Sequence, residues 1–288
     1  MPDMDPPVDS IEEQIALHGR PLPASTFVGS FEDGFEGWTS LEGAQEDSIV
    51  LVSSPVRTGN QSVRIRVRPG DYIQHGNRAE ITHNLEDSPG TEGWYAWSLY
   101  IPPDYPTVAD PTRQWQILCQ WHDQPDLDTG QSWDAFPPHN SSIALYLLNY
   151  PENTSIGLGV GTNLPKGTWQ YGPARVEKGE WIDILFHIGW STGQDGFVNA
   201  SVETGGLETR QTQVLTPLGG VPGRTLYYEY GNYLKLGMYR EPSIDFVSTV
   251  YLDELRCGPT QESVTFRNIV SSKSEVEEGN LRRMHGGT

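Results

Sequence analysis

Three short segments carry side chains able to bind an anion and move a proton. They are "GNRAEI" with Arg78 and Glu80, "WQILCQWHD" with Gln116, Gln120 and His122, and "NYLKLGMYR" with Tyr233, Lys235, Tyr239 and Arg240. Strand side chains alternate between two faces, so parity assigns their company. In the first segment Arg78, Glu80 and Thr82 share one face, and Asn77, Ala79 and Ile81 share the other. In the second, Gln116, Leu118, Gln120 and His122 lie opposite an apolar stripe of Trp115, Ile117, Cys119 and Trp121. In the third, Tyr233, Lys235, Gly237 and Tyr239 lie opposite Leu234, Leu236 and Met238, while Arg240 at the strand end is open to leaving the alternation. A polar face built only for solubility is usually Lys, Glu, Thr and Ser. Here it holds amides, imidazole, phenols and one of only four lysines, at 166, 178, 235 and 273.

The elements that must position these groups are strands. From about residue 26 the chain repeats short alternating or apolar runs, such as "QSVRIRVRP", "WYAWSLYIP", "SSIALYLLNY" and "EWIDILFHIGW", separated by Gly, Pro, Asn and Asp. About a dozen strands with almost no helix between them form a two-sheet antiparallel β-sandwich, an all-β fold. "SIEEQIALHG" predicts a short N-terminal helix, with Ser10 as N-cap, Glu13 completing a capping box and Gly19 as stop. The expected organisation is a leader over 1–25, one β domain over 26–259 and a charged tail over 260–288. In "SIGLGVGT", Gly157, Gly159 and Gly161 share a face and leave room for a ligand to cross the sheet.

Composition narrows the function. The net charge is −19, which excludes non-specific nucleic-acid binding. No apolar run approaches the ~18 residues of a membrane span. Two cysteines, Cys119 and Cys257, provide no disulfide framework and read as small buried residues. The N-terminus lacks a signal-peptide pattern, but the sequons at Asn60, Asn140, Asn153 and Asn199 lean toward a secreted protein. A monomer is expected.

Together the three segments, with "GWYAWSLYIP", resemble the motifs of jelly-roll polysaccharide lyases of concanavalin A-like architecture. These are the heparin lyase I type, the glucuronan lyases of polysaccharide lyase family 20 and, more distantly, the alginate lyases of family 7. The last group typically shows Arg-x-Glu-Leu, Gln-x-His and Tyr-Phe-Lys-x-Gly-x-Tyr strands. This chain has Arg78-Ala79-Glu80-Ile81, Gln120-Trp121-His122 and Tyr233-Leu234-Lys235-Leu236-Gly237-Met238-Tyr239, in the same order. The resemblance covers about residues 26–258 and implies β-elimination at a uronic acid, with a glucuronan-like polymer as the first expectation. It implies His122 and Tyr239 as the proton-transfer pair, Gln120 and Arg78 on the substrate carboxylate, and Lys235 beside them.

The implied chemistry suits these groups. Removing the C5 proton of a uronate builds charge on its carboxylate, and fixed donors stabilise that charge as it develops. Neutral His qualifies directly as a base. A Tyr base needs neighbouring cations, here Lys235 and Arg78. In glucuronate and mannuronate the C5 proton and O4 lie on one side, so a single Tyr could be both base and acid. In guluronate and iduronate they lie on opposite sides and two groups are needed. A polyanionic substrate on an acidic protein requires a local positive cleft, for which Arg78, Arg113, Lys235 and Arg240 are candidates, with Asn77, Glu80, Gln116, Tyr233 and the outward His187 as further substrate contacts.

No cofactor is expected for catalysis, because the His residues are not spaced as a metal cluster. Glu32 in "FEDGFEGW" and Asp253 in "YLDELRCG" are either oxygen ligands of a structural Ca²⁺, as in related carbohydrate domains, or two solvated carboxylates. Three rivals remain at this level. A lectin-like module would need no base and acid pair. A jelly-roll glycoside hydrolase needs two carboxylates across the bond, and "GEWIDILFH" offers only Asp183. A structural capsid or tail protein is the third.

Overall fold

The structure, a computed structural model, describes residues 27–265 except 85–86, 111–112, 163 and 206–209. The expected helix near Ser10 and most of the expected tail lie outside these residues. In chain order the strands are β1 (Phe27–Gly29), β2 (Ser40–Gly43), β3 (Ile49–Val52), β4 (Ser62–Val67), β5 (Tyr72–Ile73), β6 (Gly76–Asn84), β7 (Glu92–Tyr100), β8 (Gln116–His122) and β9 (Ile143–Asn149). They continue as β10 (Thr154–Val160), β11 (Tyr171–Val176), β12 (Trp181–Gly189), β13 (Phe197–Thr204), β14 (Gln211–Val214), β15 (Val221–Pro222), β16 (Tyr233–Arg240) and β17 (Ser248–Gly258). One turn of helix, α1 (Gln261–Val264), follows.

Every strand pairing is antiparallel. One sheet runs β14-β13-β12-β7-β17-β4-β3, with β1 on β17 and β15 on β13. The other runs β11-β10-β9-β8-β16-β6-β2, with β5 on β6. This is the expected all-β jelly roll. Its core lies between the sheets, where Trp121 of β8 meets Phe186 of β12 at 4.8 Å and Tyr95 of β7 at 5.4 Å between ring centroids. Trp97, Trp121, Trp190 and Phe186 are all almost wholly buried. Each contributes roughly 2–3 kcal/mol by leaving water. Cys119 and Cys257 are both buried and not joined in a disulfide, as expected.

The packed unit does not end at residue 259. Thr260 caps α1 with a capping box, and Val264 is buried with Ala96 against Trp94 and Leu185 on β7 and β12.

The three segments singled out by their chemistry are β6, β8 and β16, and β16 lies between the other two. The register sets Tyr239 opposite Arg78, Lys235 opposite both Thr82 and Gln120, and Tyr233 opposite His122. Distant parts of the chain thus place their polar faces side by side.

Candidate active site

The polar faces of β6, β8 and β16 floor a cleft of about 740 Å³ lined by Arg78, Gln120, His122, Tyr233, Lys235 and Tyr239. Beneath it Glu80 is almost wholly buried. Gln120 Nε2 donates to Glu80 Oε1 at 2.6 Å, Arg78 donates to Oε2 at 3.1 Å, and Lys235 Nζ lies 3.5 Å from Oε2. Burial opposes ionisation of Glu80, but Lys235, Arg78 and these hydrogen bonds outweigh it and hold the carboxyl below its usual range. Lys235 also pairs with Glu42 of β2 at 2.6 Å. Burial works against its charge, yet Glu80 and Glu42 keep the ammonium above its usual range. Two cations and two carboxylates therefore form a nearly neutral, rigid floor.

Tyr239 is positioned by packing on every side. The Arg78 guanidinium lies 3.9 Å over its ring, and Trp115 meets the ring edge-on at 4.9 Å. A Cβ on Gly76 would come within 2.3 Å of the Tyr239 ring, so this strand start has to be glycine. Gly237 allows the strand to pass β6 closely: its φ is 148°, and a Cβ there would lie 2.3 Å from the Ala79 carbonyl oxygen. The phenol oxygen accepts a hydrogen bond from Lys166 at 2.5 Å.

Lys166 was not singled out by its sequence context. It lies in the 161–170 connection between β10 and β11, and the glycines of β10 account for its position. A Cβ on Gly159 would lie 2.6 Å from the Thr168 carbonyl, and one on Gly157 would lie 3.1 Å from the Trp169 ring. The space over Gly157 is thus taken by the chain itself, while Gly159 also lines the cleft, and the connection delivers an ammonium to Tyr239.

At the other end of the cleft, His122 contacts two carbonyl oxygens: Nδ1 lies 2.8 Å from Asp123 O, and Nε2 lies 3.1 Å from His139 O. The Asp123 carboxylate is buried between two imidazoles, 2.9 Å from His122 Nδ1 and 2.6 Å from His139 Nδ1. His139 in turn stacks on Tyr227 at 4.3 Å. Trp133 is about half exposed and meets Tyr233 edge-on at 6.0 Å. With Phe136 it adds an aromatic wall to the cleft. Asp123, His139 and Trp133 were also missed, since loop residues carry no periodicity.

A model of the polysaccharide lyase family matches residues 33–256. The chain belongs to the polysaccharide lyase family. This lyase is similar in fold to an endo-β-1,4-glucuronan lyase from the fungus Trichoderma reesei, at TM-score 0.59 and 16% identity, over 84% of this chain and 98% of that one. It is also similar to the catalytic domain of a glycoside hydrolase family 131 protein from Coprinopsis cinerea, at TM-score 0.54 and 13% identity, over 84% and 98%. A family 131 β-glucanase catalytic domain from Podospora anserina matches at TM-score 0.52 and 14% identity, over 85% and 99%. A search of curated sequences returned no match. The shared fold is host to lyases and hydrolases alike; the family match decides for a carbon–oxygen lyase acting on polysaccharides.

Several expected site residues of the lyase lie elsewhere. Gln116 is wholly buried and accepts a hydrogen bond from the Tyr105 hydroxyl. The cause is a break in the pairing of β8. Ile117 pairs with Tyr146 and Cys119 with Leu145, leaving Leu118 extra, so parity inverts before it. Leu118 joins the core, while Ile117 and Trp115 pack with Tyr239. Arg240 keeps strict alternation and is buried away from the cleft, donating to Asn77 Oδ1 at 2.7 Å and Ser248 Oγ at 2.8 Å. Asn77 is therefore a structural partner too. Arg113 is exposed beside Asp110 at 3.5 Å. His187 lies on the other sheet, stacked on Trp94 at 4.0 Å and 2.9 Å from Glu92.

The candidate Ca²⁺ ligands, Glu32 and Asp253, each accept hydrogen bonds from neighbouring N–H groups. Glu32 Oε1 accepts from the Asn60 and Gln61 amides at 2.7 and 2.9 Å, and Oε2 from Asn60 Nδ2 at 3.0 Å. Asp253 accepts from the Arg57 and Glu254 amides, both at 2.9 Å, and burial pushes its carboxyl up to about 7. Both carboxylates are turned to N–H donors, and neither belongs to a metal-type cluster among the described residues. Among the described residues no helix is long and apolar enough to cross a membrane.

Proposed function

We propose that this polysaccharide lyase cleaves a uronate-containing polymer by β-elimination, with Tyr239 as the group that moves protons. One observation carries the reading: the Tyr239 hydroxyl opens on the cleft while held by the Lys166 ammonium at 2.5 Å, with Arg78 over its ring at 3.9 Å. As a phenolate, a side chain so placed can take the C5 proton, its charge balanced until then by cations fixed in advance. It can then return the proton to the leaving O4. The uronate carboxylate takes up charge between these two steps, and Gln120, Arg78 and Lys235 are the donors beside it.

His122, expected as the other member of the proton-transfer pair, fits the role of base less well. Both ring nitrogens face carbonyl oxygens, which leaves neither aimed at a substrate carbon. We assign His122 to holding the cleft end together through Asp123 and His139. A single tyrosine doing both transfers favours a uronate whose C5 proton and O4 share a side, as in glucuronate or mannuronate. The shared fold with an endo-β-1,4-glucuronan lyase supports glucuronan as the first polymer to try. Trp133 and Phe136 offer faces on which adjoining pyranose rings can stack.

The deciding experiment follows near-UV absorbance of the unsaturated product with glucuronan, alginate and heparin. A rise on glucuronan is expected. A flat trace on every polyuronate removes this reading, and full activity in Tyr239→Phe removes the assignment.

A further inference from the structure

The turn between β5 and β6 is two residues long, closed by the pairing of Ile73 with Gly76. Both central residues have left-handed backbones, Gln74 at φ 48° and His75 at φ 63°. Such hairpin turns require positive φ at both positions and are ordinarily Asn-Gly. Side chains with a Cβ are strained there. Strain of this kind persists where the surroundings impose it, and it concentrates at binding sites.

The surroundings here are the cleft. Gln74 and His75 both line it. Oriented as its neighbours require, the Gln74 amide donates to the Glu42 carboxylate at 2.8 and 3.1 Å, and Glu42 is the carboxylate paired with Lys235. Gly76 seats the turn directly on Tyr239. Gln74 therefore has a structural partner. His75 has none among the described residues: it is exposed, carries an unused imidazole, and faces the cavity.

We propose that His75 is a substrate-positioning residue, hydrogen-bonding a hydroxyl or carboxylate oxygen of the sugar unit seated at Tyr239, and that the left-handed turn is retained to present it. This rests on the polyuronate lyase reading above. The ligand class is a pyranose bearing oxygens on the face turned toward β5.

The test uses two variants of the full chain. His75→Gly gives the second turn position a residue that accepts positive φ and removes the imidazole, leaving the Gln74–Glu42 bond in place. His75→Asn keeps a residue that tolerates positive φ and retains a hydrogen-bonding group. His75→Gly should melt at a higher temperature than wild type, with KM raised about tenfold, as loss of one hydrogen bond to a charged group implies, and kcat within about twofold. His75→Asn should recover most of the KM. A higher Tm with unchanged KM overturns the proposal, as does a lower Tm. Retardation in gels containing glucuronan or alginate separates this from the lyase reading. If wild type forms no unsaturated product yet is retarded more than His75→Gly, elimination fails and the role of His75 stands. Equal mobility of the two overturns it.

Discussion

The molecule builds the same ionic unit twice and uses it differently. On the cleft sheet, Glu80 takes Arg78, Lys235 and the Gln120 amide. On the other sheet, Asp183 of β12 takes Arg57 at 3.0 and 2.8 Å, Arg210 at 3.0 Å and the Ser98 hydroxyl at 2.6 Å. Each is one buried carboxylate with two cations and one neutral donor. At Asp183 the cations close on the carboxylate and tie β7 and β12 to the flanking segments. At Glu80 the partners also line a cavity, and Tyr239 stands over one of them. Buried charge pairing therefore does not mark a site by itself. What marks it is a reactive oxygen beside the pairing and space for a substrate.

The sharpest way to break this comparison is at that oxygen. Tyr239→Phe keeps the ring under Arg78 and removes only the hydroxyl. Turnover should fall by roughly 10²–10⁴-fold, the range for a lost acid–base group, while Tm stays within a degree or two of wild type. Next come the matched carboxylates. Glu80→Gln leaves Arg78 and Lys235 short of their counter-charge and should lower unfolding free energy by about 3 kcal/mol. Asp183→Asn should lower it less, because Arg57 is partly exposed. Assayed where both remain folded, only Glu80→Gln should lose turnover. Equal losses in the two would show that the cleft network does no more than its counterpart. Lys166→Ala should come third, with kcat down about 100-fold as for one lost charge-stabilising donor. Its Tm should not move, since the residue is exposed.

The comparison also explains what could be read from the sequence. Alternation alone placed Arg78, Gln120, His122, Lys235 and Tyr239 on one surface, because β6, β16 and the second half of β8 keep period two. It failed at Gln116, Trp115 and Ile117, where the extra residue in β8 is set by pairing with β9 and leaves no trace in the local composition. It failed for Arg240 in the opposite way: alternation did hold, but a guanidinium was expected to seek the cleft rather than Asn77 and Ser248. Lys166, Asp123 and His139 come from connections, where neither period nor spacing applies. The scarcity of lysine was the one available signal for Lys166. The Glu80 and Asp183 units could not be told apart in advance, because the difference is the cavity, and a cavity belongs to the whole fold.

A third buried carboxylate tests the electrostatic half of the comparison. Asp87 accepts from the Tyr95 hydroxyl at 2.5 Å, and its Oδ2 is buried. The groups that set its ionisation include no cation, so burial pushes its carboxyl up to about 7, whereas Glu80 is held low by two cations. The two should respond to pH with opposite sign. Glu80, lowered in the folded state, adds stability above its unfolded pKa and loses it as pH falls through the folded value. Asp87, raised, binds a proton in the folded state that the unfolded chain releases from about pH 4 upward. Its contribution therefore falls as pH rises from about 4 to about 7 and is flat above that. Asp87→Asn should remove this slope. In urea titrations the variant should gain on wild type steadily between pH 5 and 7, by about 1 kcal/mol or more, and hold that gain at pH 8. A difference between variant and wild type that does not change with pH would mean that Asp87 is ionised despite its burial, and that the contrast with Glu80 lies in geometry rather than charge.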